Sequence, residues 1–146
     1  MNLSLYCVAV GIVVSTLIGA ANPIEAHERF ARAPGKDLPL IAEVAPQAVQ
    51  ISPHVPNMGA HWVDPASPPT GPIYCVVDGR VVCVEYMFDV ADLAAGTSWT
   101  RLLPGIATPP IERIDVEFRP DGIPPHPVPL YQIHAYFASE AELADH

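Results

Sequence analysis

Four side chains in this sequence are of types that hold transition metals: His54, His61, Glu85 and His134. Imidazole nitrogens and a carboxylate oxygen are ligands for zinc, copper or iron, and strands plus a loop can bring them to one point. His54 and His61 share one loop braced by Pro and Gly. Glu85 lies between Cys83 and Met87 in a strongly apolar segment, where an unpaired carboxylate is costly, and His134 sits in the middle of a strand-like run. A metal there, zinc or copper, would support metal-assisted chemistry with Glu85 as ligand or base. The spacing matches no ligand signature, and no HExxH, zinc-finger, Walker, dinucleotide-binding or GxSxG pattern occurs. A blue-copper site is excluded, because it needs Cys, His and Met close together and the next His after Cys83 is His126.

Each of these residues also has a purely structural explanation. His54 can bond loop backbone, Glu85 can pair with Arg113 or Arg101, and His134 can be a satisfied sheet histidine. His126, between two prolines, reads as exposed and inert. Two further sites are conceivable. If an exported chain were cut after Ala26, His27 would offer an amine and an imidazole to copper. Alternatively, Trp62, Trp99, Tyr74, Tyr86, Tyr131 and Tyr136 would line an apolar pocket for a small molecule.

The elements that must position these residues are mostly strands. Ile73–Val77 and Arg80–Met87 are β-branched and aromatic runs flanking Asp78-Gly79, the pattern of a hairpin with a type I′ turn. A two-residue turn sets Val77 opposite Arg80, Val76 opposite Val81, Cys75 opposite Val82 and Tyr74 opposite Cys83. Cys75 and Cys83 then fall on opposite faces, which predicts free, buried thiols; a three-residue turn would set them opposite each other. Residues 111–118 alternate, with Ile114, Val116 and Phe118 expected inward. Residues 130–137 alternate too, with Tyr131, Ile133, Ala135 and Phe137 expected inward. Residues 51–72 hold six prolines and read as loop. A short helix is expected over residues 90–95, capped by Asp89 and stopped by Gly96, and a capped helical turn after Ser139. In residues 38–49, Pro39 and Pro46 interrupt any longer helix. The fold expected is mainly β: a small antiparallel β-barrel or sandwich with one or two short helices.

Composition bounds the rest. The chain has 146 residues, half of them apolar, with 18 Pro and a net charge of −9. It is neither an apolar-poor disordered tail nor a nucleic-acid binder, which would need clustered Lys and Arg. Residues 2–21 are uncharged and apolar and run into small residues and Pro23, the mark of a signal peptide cut after Ala20, Ala21 or Ala26. The domains expected are therefore a signal peptide over 1–26, an irregular lead-in over 27–50 and a β-rich domain over 51–146. The mature protein would be secreted or periplasmic, with no stable membrane insertion after cleavage.

Several stretches together resemble a family of exported bacterial domains of unknown function, typified by a small β-rich Thermus protein. They are PHVPNMGAHW (53–62), GPIYCVVDGRVVCVEYM (71–87), PGIATPPIERIDVEF (104–118) and VPLYQIHAYF (128–137). The resemblance spans about residues 48–138, and its most specific part is the His-x-Pro-x-Met-Gly-x-His-Trp loop. It implies a compact β-rich fold that self-associates, and it carries His61, Glu85 and His134 as matching positions. Leu130 stands where the family often has His and Gln132 where it often has an acid, which removes two potential ligands. Two functions follow as expectations. One is an exported domain binding a metal ion or small ligand through His54, His61, Glu85 and His134. The other is a non-catalytic, self-associating homo-oligomer with a structural or envelope-stress role.

Overall fold

The structure, a computed structural model, describes residues 38–144 and 146. The signal peptide, the His27 site and the first part of the lead-in lie outside the described residues. Helix α1 (Ile41–Val44) is only four residues long, held between Pro39 and Pro46. Six strands follow: β1 (Val49–Gln50), β2 (Ala60–Val63), β3 (Ile73–Val77), β4 (Arg80–Asp89), β5 (Arg113–Arg119) and β6 (Leu130–Tyr136). Helix α2 (Val90–Ala94) follows β4, and α3 (Glu140–Leu143) follows β6. No helix among the described residues is long and apolar enough to cross a membrane.

The strands form one antiparallel sheet in the order β1-β2-β3-β4-β6-β5. The mainly β, antiparallel expectation therefore holds, and the sheet stays open. Strand β2, AHWV, emerges from the Pro-rich stretch read as loop. Gly59 permits it: its φ is +91°, and a Cβ there would stand 2.3 Å from the Val76 carbonyl oxygen. Only a residue without a side chain lets the 55–59 turn press against β3.

Asp78 and Gly79 both have positive φ, as a type I′ turn requires. The pairs Val77–Arg80 and Val76–Val81 form as expected. The register then shifts, so that Cys75 faces Cys83 and Ile73 faces Glu85. Val82 is the extra residue of a β-bulge. The sequence reading is corrected here: Cys75 and Cys83 lie on one face, their Cα atoms 4.9 Å apart, and form a disulfide. The cause is the bulge, not a longer turn, because one inserted residue exchanges the faces of everything beyond it.

A second correction concerns β5 and β6. Ile114, Val116, Phe118 and Tyr131 are exposed, while Leu130, Gln132, His134 and Tyr136 are buried. The apolar stripe of the two strands points outward and the polar stripe turns toward the interior, while Phe137, one residue past β6, is buried as expected. Several members of the polar stripe pair with one another: Arg113 bonds Asp115 and lies over the Tyr136 ring, while Arg119 bonds both Glu117 and Gln132. The outer face is covered elsewhere in the sheet by the segment after α2, where Trp99 packs on Phe88 and Tyr74 bonds the Pro104 carbonyl.

The core gathers Leu38, Ile41, Val76, Val81, Val84, Phe137 and Leu143 around the β3–β4 hairpin. Helix α2 occupies its expected place, although Asp89 does not cap it through its side chain. That carboxylate instead bonds His126, which is half-buried rather than free. Ser139 and Glu142 form the anticipated cap of α3, a reciprocal capping box.

Candidate metal centre

Three strands supply the centre. His61 comes from β2 and Glu85 from β4. His134 on β6 is the direct cross-strand partner of Glu85. Strand β3 lies between β2 and β4, so the backbones of His61 and Glu85 are roughly 10 Å apart, two strand spacings. Their side chains reach toward each other over Ile73, the partner of Glu85 on β3. The bulge at Val82 is what allows this. In an unbulged ladder Cys75 would face Val82, and Glu85 would project from the opposite surface of the sheet.

Glu85 and His134 are almost wholly buried, at 1% and 0% exposure, and the His61 side chain is 13% exposed. Glu85 Oε2 stands 3.4 Å from His61 Nε2 and 3.7 Å from His134 Nε2. One ligand atom from each of the three residues lies within 4.8 Å of the other two. The second carboxylate oxygen, Oε1, accepts a hydrogen bond from Gln132 Nε2, and Gln132 Oε1 accepts one from Arg119 Nε at 2.6 Å. No Lys or Arg among the described residues touches the carboxylate directly. The pairing with Arg113 or Arg101 that a structural role would use is not made.

The proton inventory favours lone pairs aimed inward. Ser52 Oγ donates to the Pro53 carbonyl at 2.8 Å and accepts from the His61 backbone N–H at 2.9 Å. In that arrangement the 2.9 Å contact with His61 Nδ1 has the ring nitrogen as donor, which is one of the ring's two tautomers. In that tautomer Nε2 of His61 is unprotonated, and it faces Glu85. Burial lowers the pKa of His61 below the ordinary histidine value. Glu85 opposes that shift and His134 adds to it, leaving the ring neutral at pH 7. Both ring nitrogens of His134 are buried without a hydrogen-bond partner. Buried polar nitrogens in folded proteins are nearly always bonded, so an unbonded pair beside a carboxylate stands out.

Two imidazoles and a carboxylate form a donor set that fits a divalent transition metal. Ser52 would act as the partner that orients a metal-binding histidine through its other nitrogen.

A cleft of 560 Å³ opens onto the centre. His61, Glu85 and Gln132 form its polar floor, and Arg119 and His126 stand in its wall. Ile51, Val55, Met58, Ile73, Met87, Ile123, Pro124 and Pro125 make up most of the remainder. None of the six aromatic residues proposed for an apolar pocket lines this cleft; its apolar surface is aliphatic. His134 lies beneath it.

Of the four ligand candidates, the fold brings His61, Glu85 and His134 together. His54 is exposed in the loop and stands outside the group. The sequence reading missed Ser52, Gln132 and Arg119. Gln132 was the most accessible of them, since it is two residues from His134 and therefore shares its face.

No protein-family model matches the chain, and no curated protein matches it. Among solved structures it is similar to the crystal structure of hypothetical protein TTHB210 from Thermus thermophilus. The identity is 21% and the TM-score 0.53, over 65% of this chain and 94% of that one. The likeness is one of fold, and it agrees with a β-rich group whose function is unknown.

Proposed function

We propose that this protein binds a divalent transition metal, zinc or copper foremost, through His61 Nε2, Glu85 Oε2 and His134 Nε2. The observation that carries the reading is His134, whose two buried nitrogens have no partner while Nε2 stands 3.7 Å from a buried carboxylate. Leaving such a group unsatisfied costs about 1–3 kcal/mol, and metal coordination through Nε2 satisfies one of the two. Three protein ligands with one side open to a cleft resemble catalytic rather than structural zinc sites, which close with four. The open position would admit water or a ligand, and metal-assisted hydrolysis is the enzymatic form this takes. Export to the periplasm or medium belongs to the same reading and rests on the apolar segment of residues 2–21.

The test is the metal content of the purified protein, measured by mass spectrometry after exposure to zinc and copper salts. We expect close to one ion per chain, retained in His54→Ala and lost in His61→Ala and in His134→Ala. No bound ion in the wild type would refute the assignment.

A second reading, self-association, is favoured by a separate observation. Ile114, Val116 and Phe118 are 59%, 61% and 50% exposed on the outer face of β5, next to Tyr131, whose ring packs on Phe118. A contiguous apolar stripe of this kind is the usual mark of an interaction surface. The two readings are compatible, because the stripe and the centre lie on opposite faces of the sheet.

A further inference from the structure

We propose that the cleft takes an aliphatic carboxylate, its chain along the apolar walls and its head group between Arg119 and the open side of the metal centre. The inference rests on the metal reading and names the ligand class of that site.

Shape and lining come first. At 560 Å³ the cleft falls within the ~300–1,000 Å³ range of small-molecule sites. Its upper walls are Ile51, Val55, Met58, Met87 and Ile123, which offer dispersion contacts and no hydrogen bonds. Of its six polar or charged lining side chains, Ser52, His61, Glu85, Gln132 and Arg119 form one linked cluster, and the sixth is His126. Such a cavity selects a molecule with an apolar body and a single polar end.

Charge then selects the sign of that end. Arg119 is the one Lys or Arg among the described residues that line the cleft. Its Nε is committed to Gln132 and its Nη2 to Glu117, while Nη1 has no hydrogen-bond partner among the described residues. A divalent ion with Glu85, together with Arg119 and Glu117, leaves the floor with one net positive charge. A monoanion neutralises it; a neutral head group does not, and a dianion overshoots. A carboxylate also matches the donors present, since it can accept from a guanidinium N–H and offer its second oxygen to a metal. The hydrogen-bond chain Arg119–Gln132–Glu85 ties the cation to the ligand carboxylate, so both ends of the head-group site are held by one relay.

The experiment uses zinc-loaded full-length protein, with zinc content read by mass spectrometry beside each calorimetric titration. The probes are octanoate, acetate and octan-1-ol. Octanoate is expected to bind at least about ten-fold more tightly than either acetate or octan-1-ol. Arg119→Gln should weaken octanoate at least about ten-fold while zinc content is unchanged. Ile123→Trp, which fills the cleft from a loop, should do the same without touching the floor. Zinc bound at one per chain with no preference for octanoate, or with octanoate binding unaltered in both variants, would overturn the ligand proposal and leave the metal reading standing. Absence of zinc would overturn both.

Discussion

At the scale of single residues, the centre is three side chains and the hydrogen bonds from Ser52 and Gln132 that orient them. His61, Glu85 and His134 are identifiable by type, and a carboxylate in an apolar strand already signals a partner. Ser52 gave no such signal, because a serine before a proline is ordinary loop composition. Its importance lies in one hydrogen bond, which holds Nδ1 of His61 and turns Nε2 toward Glu85. Ser52→Ala should therefore lower zinc affinity by about 10–100-fold, the usual effect of removing the group that orients a metal-binding histidine. Competition titration against a chelator would measure it, and an unchanged affinity would remove Ser52 from the account. His54 has the same side chain as His61 and a neighbouring place in sequence, yet it projects to solvent. Residue type alone could not separate the two.

Among the elements, the decisive feature is the bulge in β4. The hairpin and its turn were readable from Asp78-Gly79, but the extra residue at Val82 has no signature in composition, since both faces of the hairpin are apolar. A reading by simple alternation consequently placed Cys83 and Glu85 on the wrong face. The disulfide joins the strands at the first pair beyond the bulge, so it secures the register that presents Glu85 to His61. Replacing both cysteines, Cys75→Ala with Cys83→Ala, should cost about 2–3 kcal/mol, the value for closing a loop of this length. Zinc affinity should fall with it, more than in a surface variant of equal stability. Denaturant melts and zinc titration on the same samples check both parts. In β5 and β6 the alternation was read correctly and its direction was reversed. The usual assumption that the apolar stripe faces the core fails here, because the polar stripe builds the site and pairs its own charges.

For the whole molecule, the uncovered apolar stripe and the buried polar centre are two consequences of one sheet orientation. Val116→Lys places a charge in the middle of the exposed stripe. It should shift the sedimentation of the protein toward the monomer with zinc content unchanged; identical sedimentation of variant and wild type would count against self-association through this face. Alkaline stability follows from the tyrosines. Burial raises the pKa of Tyr74, Tyr86 and Tyr136 above the ordinary value of 10.0. The folded state therefore holds protons that the unfolded chain releases, so stability is fully present below pH 10 and declines as pH rises beyond it. Thermal melts between pH 8 and pH 11 should show that decline, with tyrosinate absorbance lagging behind that of the unfolded protein. The mainly β class was legible because period-two patterning and turn chemistry are local. The open sheet and the strand order were not, because they depend on which face each strand buries. The most direct test of the metal assignment compares the melting of wild type and Glu85→Gln with and without zinc. Without metal the variant should be the more stable by about 1–3 kcal/mol, since a buried carboxylate lacking a cation is replaced by a neutral amide. With saturating zinc the order should reverse. A variant that is less stable under both conditions, with no response to zinc in either protein, would show that Glu85 serves the fold and would contradict the account.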